Sequence, residues 1–251
     1  MMQIKITNPF AKFLVRIADS EIILGQRLAE MCSNAPTLEE DIALSNLGLD
    51  CFGRGEELMK LVSALENNAF TPDDCVFRRN EREYFCIKLV EQPNNDFAWV
   101  VVRQFLHDVY VTEIFKQLAT NEHQELAALS QKVLKEIEYS KMHSFDWLVR
   151  LGRGTEESKM RTQNALNVMW KYTEELFLFD EIDKTYLSDT DAIAANWNLG
   201  VNEMFAAADL ERPADKKRHI LDFRKGFHSE FLGLILADMQ YLPRAYPDAK
   251  W

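Results

Sequence analysis

The stretch Gln131–Gly152, QKVLKEIEYSKMHSFDWLVRLG, decides the fold. No Gly or Pro interrupts it, and Val133, Ile137, Leu148 and Leu151 recur at helical spacing, so it is expected to be a long helix of a bundle. Glu136, Tyr139, His143 and Trp147 also fall three or four residues apart, on one face, and form a second stripe that is predicted to point inward. In di-iron carboxylate bundles a Glu-x-x-His pair occupies such a position, because residues i and i+3 aim a carboxylate and an imidazole at one metal. Here the third residue after Glu136 is Tyr139. A phenol hydrogen-bonds but does not replace an imidazole in that motif. The stretch therefore poses a choice between a bundle that works a metal and one that has lost it.

Outward from this helix the chain reads as further helices. Phe10–Cys32 is amphipathic, and Ser33–Pro36 ends it. Thr37 with Glu40 forms a capping-box pattern at the start of a helix over Leu38–Asn67, so the first two helices form an antiparallel hairpin. Gly48, Gly53 and Gly55 lie inside the second helix, where close packing against a neighbour would explain them. A connector follows over Asn67–Arg82, then a patchily apolar run, Glu81–Gln92, that contains the one β-like segment, Cys86–Val90. Helices are predicted over Phe97–Ala119, His123–Leu151, Glu156–Phe179, Asp189–Ala208 and Phe227–Tyr241, with Pro243 and Pro247 in a loose tail. No repeat or linker divides the chain, which predicts one all-α domain over residues 1–251: a four-helix core with added C-terminal helices.

Composition agrees. Hydrophobic residues make up 47% of the 251, enough for a sizeable core, while nine Gly and seven Pro suit a mostly helical chain. A formal charge of −11 argues against nucleic acid or an anionic membrane as the main partner. No apolar run reaches the length of a spanning helix, about 18 residues or more. The N-terminus, MMQIKITNPF, lacks a signal-peptide pattern, and Cys32, Cys51, Cys75 and Cys86 show no CxxC spacing. Free thiols in a cytoplasmic protein, with no zinc site among them, are expected.

The hairpins permit a test of height, because both helices of a pair rise about 1.5 Å per residue from their turn. Glu136 mirrors onto His107 and Asp108 across the turn near 121, and Asp50 mirrors onto Ser20 and Glu21 across the turn near 35. Glu21, Asp50, Asp108 and Glu136 are thereby predicted at one level. The four-helix di-iron plan asks for two single carboxylates and two Glu-x-x-His motifs. The two would-be motifs here read Asp50-Cys51-Phe52-Gly53 and Glu136-Ile137-Glu138-Tyr139, so both histidines are gone. Two readings stay open: carboxylates on surface edges, or a remnant site. Oxygen ligands alone still suit Ca²⁺, Mg²⁺ or Mn²⁺, and buried carboxylates without metal need cations or hydrogen bonds, for which Lys141 and Arg103 are candidates.

Several ordered runs carry a family resemblance. They include Leu24-Gly25-Gln26-Arg27-Leu28, Asp41 to Asp50, Leu89 to Asn94, Glu174-Glu175-Leu176-Phe177, His228-Ser229-Glu230 and Met239-Gln240-Tyr241-Leu242, with Trp170 and Trp251. From about residue 13 onward the chain resembles the C-subunit family of the bacterial phenylacetyl-coenzyme A 1,2-epoxidases, of phenylacetate degradation. The resemblance implies a ferritin-like fold and a non-catalytic structural subunit that supports a di-iron A subunit similar in fold. It also implies a small B subunit and a flavin/iron–sulfur reductase fed by NADPH, with no cofactor in this chain. On this view no residue here is catalytic or binds a metal, and Glu21, Asp50, Asp108, Glu136 and Tyr139 mark a vestigial di-iron site. Two other readings are a self-sufficient metal oxidase built on the oxygen ligands, and an acyl-coenzyme A-binding homodimer. In the latter, Lys216, Lys217, Arg218, Arg224 and Lys225 would meet the phosphates or a partner.

Overall fold

A computed structural model describes residues 4–214, 222–247 and 249. Its helices are α1 (Pro9–Ala29), α2 (Leu38–Leu65), α3 (Pro72–Phe77), α4 (Lys88–Glu91), α5 (Phe97–Leu118), α6 (Gln124–Gly152), α7 (Glu156–Met169), α8 (Glu181–Tyr186), α9 (Thr190–Ala208) and α10 (Leu232–Ala245). Among the described residues there is no strand; the fold is all-α, as the periodicity predicts, and ferritin-like, as the resemblance implies. Two compact units emerge: Met1–Asn34 with Leu38–Gln92 and Leu221–Trp251, and Ala35–Thr37 with Pro93–Ile220.

The first unit is organised by the α1–α2 hairpin. Asn8 caps α1 by accepting from the N–H groups of Phe10 and Ala11, with Pro9 pre-set in the first turn. The two helices approach closely through glycine. A Cβ on Gly55 would lie 2.5 Å from Cγ1 of Ile22, and one on Gly48 would lie 3.3 Å from Cβ of Leu28. A Cβ on Gly53 would meet nothing within 4 Å. Close packing therefore explains Gly48 and Gly55 but not Gly53. Gly55→Ala is expected to cost about 1–3 kcal/mol through overpacking, whereas Gly53→Ala should add up to about 1 kcal/mol through helix propensity. Denaturation midpoints of the two variants check the opposite signs.

The second unit packs α5, α6, α7 and α9 around aromatic rings. Trp197 lies with its centroid 5.6 Å from Trp170 and 5.2 Å from Phe177, and its Nε1–H donates to the Leu106 carbonyl at 3.1 Å. Asp96 caps α5 by accepting from the N–H of Trp99. At the other end of the unit, a Cβ on Gly152 would lie 2.2 Å from the Ala208 carbonyl oxygen, so α6 must end on glycine for α9 to finish beside it.

Several boundaries differ from expectation for local reasons. The β-like run Cys86–Val90 enters the single helical turn of α4, without a sheet partner. The helix expected over Glu156–Phe179 stops at Met169 and continues as 3₁₀ turns. The last helix begins at Leu232 rather than Phe227, with the Ser229 N–H held by the Glu91 carboxylate ahead of it, and it carries Pro243 inside its final turn.

Candidate functional site

Three consecutive polar residues in the middle of α1, Asp19, Ser20 and Glu21, are buried. A helix tolerates this only if each finds its partners within reach. Asp19 takes the Arg79 guanidinium in a two-armed pair and the Phe85 N–H at 2.8 Å. Ser20 donates to the Arg16 carbonyl at 2.9 Å and accepts from the Ile87 N–H at 3.2 Å. Oε2 of Glu21 accepts from Arg54, with Nε at 2.9 Å and Nη2 at 2.8 Å, and that same Nη2 lies 3.1 Å from Sγ of Cys51. Arg54 sits one helical turn after Asp50, which is itself half-buried. A guanidinium therefore supplies the positive charge that a metal ion would have brought to Glu21.

The electrostatics around Arg79 shift its neighbours. Burial works against the guanidinium charge, but the Asp19 carboxylate beside it outweighs this and holds Arg79 above its ordinary range. Burial pushes the Cys75 thiol up to about 11 from 9.0, and the Tyr84 phenol is raised for the same reason. Between 9.0 and about 11 the unfolded chain releases the Cys75 proton while the folded chain keeps it. Stability should therefore fall as pH rises through that window, by on the order of 2–3 kcal/mol. Cys75→Ala is expected to flatten the alkaline limb in denaturation curves measured from pH 8 to 11.

In the second unit Asp108 is fully buried on α5. Its Oδ1 accepts from Gln104 Nε2 at 2.9 Å and its Oδ2 from the Ser140 hydroxyl at 2.6 Å, while Gln104 also donates to Ser140 Oγ at 2.9 Å. His107 Nδ1 stands 3.8 Å from Oδ1. Asp108 is thus enclosed by an amide and a hydroxyl. Its partner on α6 is Ser140, rather than Glu136 or Tyr139. Glu136 is half-buried with Lys132 at 3.6 Å, and Tyr139 is 52% exposed. The predicted inward stripe of Glu136, Tyr139, His143 and Trp147 is therefore not buried as a whole: α6 buries Val133, Ile137, Ser140, Ser144 and Leu148 instead. The small serines complete the apolar seam at three- and four-residue spacing, a pattern that emerges once serine is counted as a residue that lets helices approach.

Neither of the expected counter-charges, Arg103 and Lys141, is among the hydrogen-bond partners of Asp108. Arg103 donates to Asn94 at 2.6 Å, and Lys141 lines a cavity of about 500 Å³ with Phe105, Val109, Phe145 and Leu199. Of the basic cluster, Lys216, Lys217 and Arg218 lie outside the described residues. Arg224 is drawn to Asp222 at 3.4 Å and lies over the Phe223 ring, which leaves Lys225 exposed.

A further cluster gives no sign of itself in the sequence, although His228-Ser229 and Glu91 both stand in the runs that carry the resemblance. Glu91 on α4 is fully buried. Its Oε1 lies 2.7 Å from His228 Nδ1, and its Oε2 accepts from the Ser229 N–H at 2.7 Å and the Ser229 hydroxyl at 2.6 Å. Cys86 Sγ lies 3.5 Å from the same Oε1 and 3.9 Å from His228 Nδ1. His228 Nε2 faces the Tyr84 carbonyl at 2.9 Å, and Arg27 donates to the backbone carbonyl of Glu91 at 3.1 and 2.7 Å. Nothing in the spacing of residues 137 positions apart signals this meeting.

The donor set does not fit a di-iron centre. Glu21 is matched to Arg54, Asp108 to Gln104 and Ser140, and the imidazole positions hold Gly53 and Tyr139. The chain belongs to the phenylacetic acid catabolic protein family, whose pattern matches residues 1–251. It is similar to the C subunit of the 1,2-phenylacetyl-CoA epoxidase of Escherichia coli (strain K12). The two are 36% identical over 249 residues, covering 97% of this chain and 100% of that protein. Among the described residues no helix is long and apolar enough to cross a membrane.

Proposed function

We propose that this chain is the non-catalytic structural subunit of a multicomponent phenylacetyl-CoA 1,2-epoxidase, a ring-epoxidising monooxygenase of phenylacetate catabolism. It stabilises a di-iron A subunit and works in the cytoplasm as a single domain over residues 1–251. A small B subunit and a reductase carrying flavin, an iron–sulfur cluster and NADPH complete the assembly, and this chain holds none of the redox groups. Glu21, Asp50, Asp108, Glu136 and Tyr139 are the remnant of a lost metal centre.

The observation that carries this reading is the buried pairing of Glu21 with Arg54. A guanidinium stays charged at every physiological pH. It neutralises the carboxylate that iron would need and repels a divalent cation from the same place. Asp108 supports the reading independently, since an amide and a hydroxyl already use both of its oxygens.

Co-expression with an A-subunit partner, pull-down, iron assay and oxygen uptake with phenylacetyl-CoA test the proposal. The chain alone should be silent and nearly iron-free, while the co-purified pair should contain iron and turn over. About two irons per isolated chain, or turnover without the partner, overturns it.

A further inference from the structure

The cluster of Cys86, Glu91 and His228 lies apart from the carboxylates discussed above and plays no part in that argument. Its hydrogen-bond inventory is incomplete without a cation. The Tyr84 carbonyl can only accept, so His228 Nε2 must be the donor in their 2.9 Å contact. His228 Nδ1 then faces a carboxylate oxygen of Glu91 at 2.7 Å, and two acceptors do not approach so closely unless something positive joins them. No Lys or Arg side chain among the described residues reaches this carboxylate, because Arg27 spends its donors on the backbone carbonyl of Glu91 and on Glu30. The joining charge is a proton or a metal ion.

The thiol bears on the choice. With a shared proton it donates to Oε1 at 3.5 Å, whereas a metal ion would draw on all three donor atoms, which lie within 4.8 Å of one another. Around a tetrahedral zinc ion, with bonds of about 2.3 Å to sulfur and about 2.0–2.1 Å to nitrogen and oxygen, the S···N and S···O edges are about 3.5 Å and the N···O edge about 3.3 Å. The S···O edge here is already 3.5 Å, while the S···N edge, 3.9 Å, has to close by about 0.4 Å and the N···O edge, 2.7 Å, to open by on the order of half an ångström. Outer contacts suited to zinc ligands are also in place: a backbone carbonyl fixes the imidazole through Nε2, and Ser229 fixes Oε2 of the carboxylate while Oε1 faces the cluster. A dication with a thiolate, a carboxylate and a neutral imidazole sums to zero charge, which suits a site with every ligand side chain buried.

We infer that Cys86, Glu91 and His228 supply three protein ligands of a buried Zn²⁺ site that pins the segment before α10 to the α4 turn, with the fourth tetrahedral position left to a water. The site is separate from the iron question.

The test uses the full chain, purified without chelator and dialysed against buffered Zn²⁺. Metal analysis should give about one zinc per chain, and Cys86→Ser and His228→Gln should each lower zinc affinity by more than about 100-fold, beyond the cost of losing an outer-shell partner. Cobalt replacement should produce tetrahedral visible bands with a thiolate charge-transfer band, and Cys86→Ser should abolish the latter while circular dichroism stays native. A chelator should lower the melting temperature of the wild-type chain but not that of Cys86→Ser. A folded wild-type chain that holds no zinc and gives no cobalt spectrum overturns the inference and assigns the cluster to a shared proton.

Discussion

Arg79→Met is expected to destabilise the chain by about 3–5 kcal/mol, the scale for stranding one member of a buried ion pair. Arg79 is 1% exposed and Asp19 is fully buried. The guanidinium ties Asp19 on α1 to the carbonyls of Cys75 and Glu83, and its charged face lies 4.2 Å from the centre of the Tyr84 ring. Removing the cation leaves a carboxylate in the core with only the Phe85 N–H for company. Most of the loss is thus the cost of an unpaired charge rather than the worth of the pair. The double variant Asp19→Asn/Arg79→Met should recover more than half of the lost stability, since asparagine can still accept from Phe85 without carrying charge. Urea denaturation of the single and double variants measures this. A double variant no better than Arg79→Met would show that the backbone contacts of the arginine, and not its charge, hold this region together.

Gly226→Ala is expected to cost about 2–5 kcal/mol, from two causes that act together. Gly226 has φ +71°, in the left-handed region that costs an ordinary residue about 1–2 kcal/mol. A Cβ there would also lie 2.4 Å from the Arg82 carbonyl oxygen, a backbone atom that cannot swing away, which adds an overpacking term of about 1–3 kcal/mol. Gly226 closes the 3₁₀ turn Phe223–Lys225 just before His228, so the strain falls on the segment that delivers the imidazole to Glu91. Thermal unfolding of Gly226→Ala beside Gly53→Ala separates the effects: the first should melt well below the wild type and the second at or above it.

How much was legible follows from how local each signal is. The α1–α2 hairpin, the Asp96 cap of α5 and the span of α9 all rest on residues within one or two turns of each other, and their ends fall within a few positions of expectation. The inward carboxylates were half legible. Mirror counting across the turns picks Glu21 and Asp108, both fully buried, but the same counting picks Glu136, which is half-buried. Helical phase decides that difference: α6 turns Ser140 and Ser144 inward, and a stripe chosen for its chemistry loses to one chosen by side-chain size. The cation that pairs with Glu21, Arg54, went unseen for a related reason. Arg54 stands between Gly53 and Gly55 of α2, and it is buried because the close helix approach at Gly55 brings Glu21 within its reach. The Glu91–His228 meeting depends on a single helical turn and a loop far apart in the chain and leaves no periodic trace.

That separation of 137 positions sets an order of events during synthesis. When α1 to α4 leave the ribosome, Glu91 has neither His228 nor Ser229, and the carbonyls of Val76, Phe77 and Arg79 still lack Gln240 and Arg244. The whole of residues 93–220 must be translated before these groups are met, and closing so long a loop is slow compared with forming a helical hairpin. A stop codon or protease cut near residue 225 should leave the N-terminal hairpin as a nascent-chain species that chaperones hold, and truncations of the final helix should reduce soluble yield more than their modest length suggests.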